Sequence, residues 1–116
     1  MKYQGSCHCG KVKFEAEGDP ITSAMACNCS ICQRKGALMW FVPRPALTML
    51  TPEEDAATYT FHKHKIRHRF CPACGIHTHG EASSPAGQPM AAINLRCIEG
   101  LDLKALTVQE FDGRSL

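Results

Sequence analysis

Phe70-Cys71-Pro72-Ala73-Cys74-Gly75 has the form of a zinc knuckle. Two cysteines separated by two residues turn both sulfurs toward one ion, and the glycine gives the backbone the freedom to bring the next amide up to a sulfur. A knuckle supplies two ligands, whereas a structural zinc takes four. Ser6-Cys7-His8-Cys9-Gly10 offers a second pair, again two thiols followed by glycine. Joining Cys7 and Cys9 to Cys71 and Cys74 ties the N-terminal hairpin to the middle of the chain. Such a site contributes on the order of 10 kcal/mol to the folding of a small domain. The competing use of Cys7 and Cys9 is with a central cysteine trio, which leaves Cys71 and Cys74 to other partners.

That trio lies in Ala26-Cys27-Asn28-Cys29-Ser30-Ile31-Cys32-Gln33-Arg34-Lys35-Gly36. Ser30 reads as the N-cap of one short helix running through Lys35 and stopped by Gly36. Cys29 and Cys32 then share a helix face, and Cys27 swings in from the preceding loop. A helix start also favours thiolate. Three protein ligands with no local fourth form the pattern of a catalytic zinc, whose vacant position takes water or a substrate thiol. The alternative is a second structural site with its fourth ligand drawn from Cys97, His8, His77 or His79. Cys97, in Asn94-Leu95-Arg96-Cys97-Ile98, reads as a buried inert thiol. His77 and His79 are two apart in a strand-like segment and are expected to share a face.

Eight cysteines among 116 residues demand either disulfides or metal. No apolar signal core separates Met1 from Cys7, and the cysteines fall in tight clusters, so the reading is metal-bound thiolate in a cytoplasmic protein. The length fits a single domain, 1–116. The longest apolar run, Ala37 to Val42, is too short for a bilayer. The formal charge is +2, but two Zn²⁺ ions on seven thiolates bring it to −1, which removes most of the case for a nucleic-acid binder. His62 to Arg69 reads as a strand with Lys63, Lys65, Arg67 and Arg69 on one face. That row is taken as a solvated or edge-protecting face rather than a phosphate contact.

Short runs broken by Gly, Pro and Asp predict a mainly β domain. Lys11 to Glu17 alternates, with Val12, Phe14 and Ala16 on one face. Further strands are expected over 21–26, 37–42, 47–50, 57–61, 65–70, 90–95 and 108–111.

Taken together, these motifs and the Asn94-Leu95-Arg96-Cys97-Ile98-Glu99-Gly100 segment resemble the glutathione-dependent formaldehyde-activating enzyme family, which includes centromere protein V. The order and spacing of the matching segments span nearly the whole chain. The resemblance implies a β-tent (Mss4-like) fold with small antiparallel sheets around zinc. It also implies a structural zinc on Cys7, Cys9, Cys71 and Cys74 and a catalytic one on Cys27, Cys29 and Cys32. The activity it implies is a carbon–sulfur lyase joining or parting formaldehyde and glutathione.

In that chemistry the metal holds a substrate sulfur as thiolate, and His77 or His79 moves the proton at the hemithioacetal oxygen. Three thiolates leave the zinc site at net −1, which favours activation of sulfur over that of water. Arg34 and Lys35, directly after the trio, are candidates for the carboxylates of glutathione, with Arg96 as another. Their competing role is to complement the end of the short helix. Trp40 and Phe41 read as core residues rather than pocket walls. A non-catalytic two-zinc module that binds protein or nucleic acid is the alternative function, and metal storage or delivery a third.

Overall fold

The computed structural model describes residues 1–115. Its architecture is mainly β, with one α-helix, as the strand pattern predicts, and is of the β-tent type that the family resemblance implies. Strands β1 (Lys2–Ser6), β2 (Lys13–Glu17) and β5 (Leu47–Met49) form a small antiparallel sheet in the order β1-β2-β5. Strands β3 (Ser23–Cys27), β4 (Met39–Pro43), β6 (Ala57–Tyr59), β7 (Arg67–Phe70), β8 (His77–Ser83), β9 (Pro89–Asn94) and β10 (Thr107–Phe111) form a larger one, in the order β10-β3-β4-β9-β8-β7-β6. All its pairings are antiparallel except β10 on β3, which is parallel. The helix α1 (Ser30–Lys35) bridges β3 and β4.

The alternation in β2 works as expected. Val12, Phe14 and Ala16 are fully buried, with the intervening lysine and glutamate turned outward. Phe14 and Ala16 meet Val42, Leu47, Ile93 and Leu95 between the two sheets. Strand β1, which has little apolar character, forms because Gly5 sits opposite Phe14. A Cβ at Gly5 would come within 2.4 Å of the Phe14 ring, so only glycine lets the ring lie across its neighbour. Trp40 packs edge-on against Tyr3, 5.7 Å between ring centres, and serves the core as expected. Phe41, its neighbour, points to the opposite face of the sheet and is half exposed, contrary to the expectation of a core role.

Three further expectations are corrected. The N-cap of α1 is Cys29, with extended backbone angles, and not Ser30. The basic row is not a strand over its length: Phe61 to Ile66 turns, His62 and His64 take left-handed backbone angles, and β7 begins only at Arg67. Lys63 and Lys65 therefore share no strand face with Arg67 and Arg69. Finally, β8 pairs with β7 across a bulge between Arg69 and Phe70, so His77 and His79 do not look the same way. His79 is buried on the core side near Phe14, whereas His77 lies beside Lys35 and His68.

On the core side of β8, Glu81 is a charged hub. It accepts from Arg44 at 2.6 Å and Arg69 at 3.3 Å, with His79 3.8 Å away. The His79 ring and the Arg44 guanidinium hold its carboxyl down to about 2. A carboxyl held below its unfolded value stabilises the fold above about pH 4.5, and that contribution fades as pH falls toward 2. Glu81→Gln takes the central negative charge from two part-buried guanidinium groups. Arg44 keeps Glu53 and the Leu47 carbonyl, and Arg69 keeps the Glu53 and Ala56 carbonyls, so we expect a loss of about 2 kcal/mol in urea unfolding at neutral pH. A change below about 1 kcal/mol would mean that solvent already screens the hub.

Candidate active site

Cys7, Cys9, Cys71 and Cys74 have sulfurs within 4.8 Å of one another. The Cys7–Cys9 and Cys9–Cys71 separations are 3.7 and 3.6 Å. A tetrahedral ion bonded at about 2.3 Å to four sulfurs requires sulfur–sulfur edges of about 3.8 Å, so the cluster fits a zinc-sized ion. The same separations far exceed a disulfide bond. The Val12 amide donates to the Cys7 sulfur at 3.3 Å, and the Cys74 amide to Cys71 at 3.4 Å, as expected for turns that stabilise thiolates. Cys71 and Cys7 are buried beside Val12 and Ala56 in a second, smaller core. Cys7 and Cys9 thus face the knuckle and not the central trio, which settles that alternative.

Cys27, Cys29 and Cys32 form the second cluster, also within 4.8 Å of one another. Cys27 ends β3, Cys29 caps α1, and Cys32 lies one turn into the helix. Gly36, in the left-handed conformation, ends the helix after that turn. Against the upward push of burial, the Cys32 amide and neighbouring thiols lower the Cys29 thiol. Burial pushes Cys32 up to about 12. The trio resists ionising together without a cation, which is the charge balance of a metal site. Among the described residues, no fourth His, Cys, Asp or Glu joins the group. Cys97 instead donates its thiol to the His77 carbonyl at 3.6 Å, and burial raises it to about 11. His8 is exposed on the other cluster's loop.

The chain after β10 straps the trio from outside, which no feature of its sequence announced. Asn28 donates to Asp112 at 2.9 Å and accepts from the Arg114 amide at 2.9 Å. Gly113 passes so close that a Cβ there would sit 2.6 Å from the Cys27 sulfur and 3.3 Å from the Cys29 Cβ. Gly113→Ala must therefore push Cys27 aside. We expect it to weaken one of two bound metal ions by roughly tenfold or more, read by competition with a chromophoric chelator. Unchanged affinity at both ions would show that the strap yields without cost.

Beyond the trio opens a cavity of about 310 Å³, lined on one side by Cys27, Cys29, Cys32 and Lys35. The Lys35 ammonium lies 3.4 Å from His68 Nδ1 and 3.2 Å from His77 Nε2. Burial, reinforced by the lysine charge, lowers His68 to about 4 and His77 to about 3. Both rings are therefore neutral near pH 7 and accept from the lysine. Among the described residues, no carboxylate pairs with Lys35. Arg34 is exposed and donates to the Ser30 carbonyl of its own helix at 2.8 Å. Arg96 donates to the Gly36 carbonyl at 3.1 Å.

A β-tent protein with one closed four-thiol cluster and one three-thiol cluster facing a cavity defines a class of small metal-site domains. The profile of the family described as glutathione-dependent formaldehyde-activating enzyme matches residues 2–110, and the chain belongs to that family. A crystal structure of a Rhodobacter sphaeroides protein is similar, with a TM-score of 0.78 and 28% sequence identity. The similarity covers 91% of this chain and 99% of that one. No helix among the described residues is long and apolar enough to cross a membrane.

Proposed function

We propose that this chain is a carbon–sulfur lyase that makes or breaks the adduct of a thiol, glutathione in the first instance, with a small aldehyde. Family membership supports the glutathione-related part of the reading. The observation that carries the chemistry is the meeting, in one cavity, of a three-thiol cluster and a lysine without a carboxylate partner. Cys7, Cys9, Cys71 and Cys74 would hold a structural zinc, and Cys27, Cys29 and Cys32 a second one. A zinc ion on three thiolates with an open position keeps a further thiol ionised at neutral pH.

The remaining work falls to the chain. Lys35 reaches the cavity beside the trio, where its ammonium can donate to the oxygen that gains negative charge as the adduct forms or collapses. His77 and His68 accept from the same ammonium and aim it, so they are positioning residues. His79 is buried on the far side of β8 and has no route to this cavity, so the proton-transfer role passes from the histidine pair to Lys35. Arg34, outside on the helix, remains available to a carboxylate of the thiol.

Cobalt substituted for zinc gives the decisive readout, because its thiolate charge-transfer bands report each sulfur bound. Addition of glutathione should strengthen those bands at one of two sites. A silent spectrum would leave a two-metal scaffold without thiol chemistry. Lys35→Gln should preserve this thiol response yet slow formaldehyde exchange with its glutathione adduct by about a hundredfold, measured by exchange NMR. Exchange at the wild-type rate would remove Lys35 from the mechanism.

A further inference from the structure

We propose that the cavity beside the trio receives an apolar substituent on the carbonyl carbon, so that the substrates are thiol adducts of aldehydes larger than formaldehyde. This rests on the thiol-adduct reading given above and adds the substrate class. The volume, about 310 Å³, equals the liquid share of about ten water molecules. A hydroxymethyl group leaves most of that space empty.

The space is built by the sheet. Register places Met25 against Met39, Phe41 against Ala92, Gly80 against Ala92 and Ala82 against Met90. All of these line the cavity, on the face of the large sheet turned away from the core. Gly80, Ala82 and Ala92 keep the floor low and the cavity deep, while the methionines form pliant walls. A Cβ at Gly80 would meet its neighbours only at 3.7 Å and beyond, so glycine here hollows the floor without being required by the backbone. Phe41, Ile66 and Phe111, which also line the cavity, are 51, 49 and 42% exposed. Such a concentration of exposed apolar side chains marks a surface that a ligand covers.

Charge decides which end of the adduct enters. Glutathione carries two carboxylates and an ammonium, and among the charged side chains of the lining only Lys35 is free to meet them. The Glu81 carboxylate is turned to Arg44 and Arg69 on the other side of the strand. The peptide portion therefore stays outside, the sulfur lies at the trio, and the substituent from the aldehyde fills the apolar space. In the reaction, the C–S bond of RS–CH(OH)R′ breaks with its electron pair left on sulfur. The hydroxyl proton passes to the Lys35 side chain in its neutral amine form, and the C=O bond of R′CHO forms. The amine becomes the ammonium that returns the proton in the addition direction. Addition is the reverse, and no oxidant or reductant is needed.

The test uses S-alkylglutathiones from S-methyl to S-hexyl, which keep the substituent but lack the reacting hydroxyl. Calorimetry on the zinc-replete protein should show Kd falling about three- to fourfold per methylene until the cavity is full. Ala92→Leu, and separately Ala82→Leu, should flatten that climb in protein that keeps its melting transition and two zinc ions. A flat wild-type series overturns the inference. If glutathione still perturbs the cobalt spectrum in that case, the thiol-adduct reading survives and only the larger aldehydes are lost. A climbing series with a cobalt spectrum silent to glutathione fails the thiol reading instead, and the aldehyde assignment falls with it.

Discussion

Cys71→Ser is expected to leave the chain without a cooperative thermal transition. The Cys71 side chain is fully buried, its sulfur is 3.6 Å from that of Cys9, and it accepts from the Cys74 amide. A serine oxygen in its place is a poor match for an ion otherwise held by thiolates, and it sits in a small core whose other members are Cys7, Val12 and Ala56. That core has almost no apolar bulk, so a bound ion would replace what packing otherwise supplies. It would join the β1–β2 hairpin to the turn between β7 and β8, two parts of the chain about sixty residues apart. Structural zinc sites contribute on the order of 10 kcal/mol, comparable to the whole net stability of a domain. Circular dichroism melts should therefore show a lost or strongly lowered transition for the variant, and the same for wild-type protein stripped by a chelator. A variant that melts at the wild-type temperature would mean that the two sheets hold together without the metal.

The two cysteine clusters were legible because ligand spacing is local. Cys-x-Cys, Cys-x-x-Cys and the following glycines set the turns by themselves, and the fold brings them into the two groups that spacing suggests. The Val12, Phe14, Ala16 face was legible for the same reason. Most of what failed depended on partners distant in sequence. Period-two counting placed His77 and His79 on one face, but the bulge in the β7–β8 pairing turned them apart. Alternation also suggested a strand through His62 to Arg69, where the chain instead turns through left-handed His62 and His64. Phe41 belongs to an apolar strand buried on one face only, and its composition gave no sign that the other face lines a cavity. The Gly113 strap and the Lys35–His68–His77 cluster were invisible, since each joins segments that only the tertiary fold places side by side.

Cys29→Ser separates the two metal sites. The trio lies at the end of β3 and the start of a six-residue helix with no buried residue, and none of its cysteines belongs to the core cluster between the sheets. Loss of its ion should therefore leave the melting transition largely in place while metal content falls from two ions to one. The substituted serine can still cap the helix, since serine is itself a favoured N-cap, so local structure survives the change. Catalysis should not survive it. A bound thiol kept ionised by the metal is worth several kcal/mol at the transition state, and its removal corresponds to at least about a thousandfold in rate. Exchange NMR of the formaldehyde–glutathione adduct, with metal content and melting measured on the same preparation, distinguishes the cases. Near-normal exchange with one ion bound would show that the cavity works without the trio. Collapse of the fold would assign the trio a structural role alongside the four-thiol cluster, and the open-site reading would lose its basis.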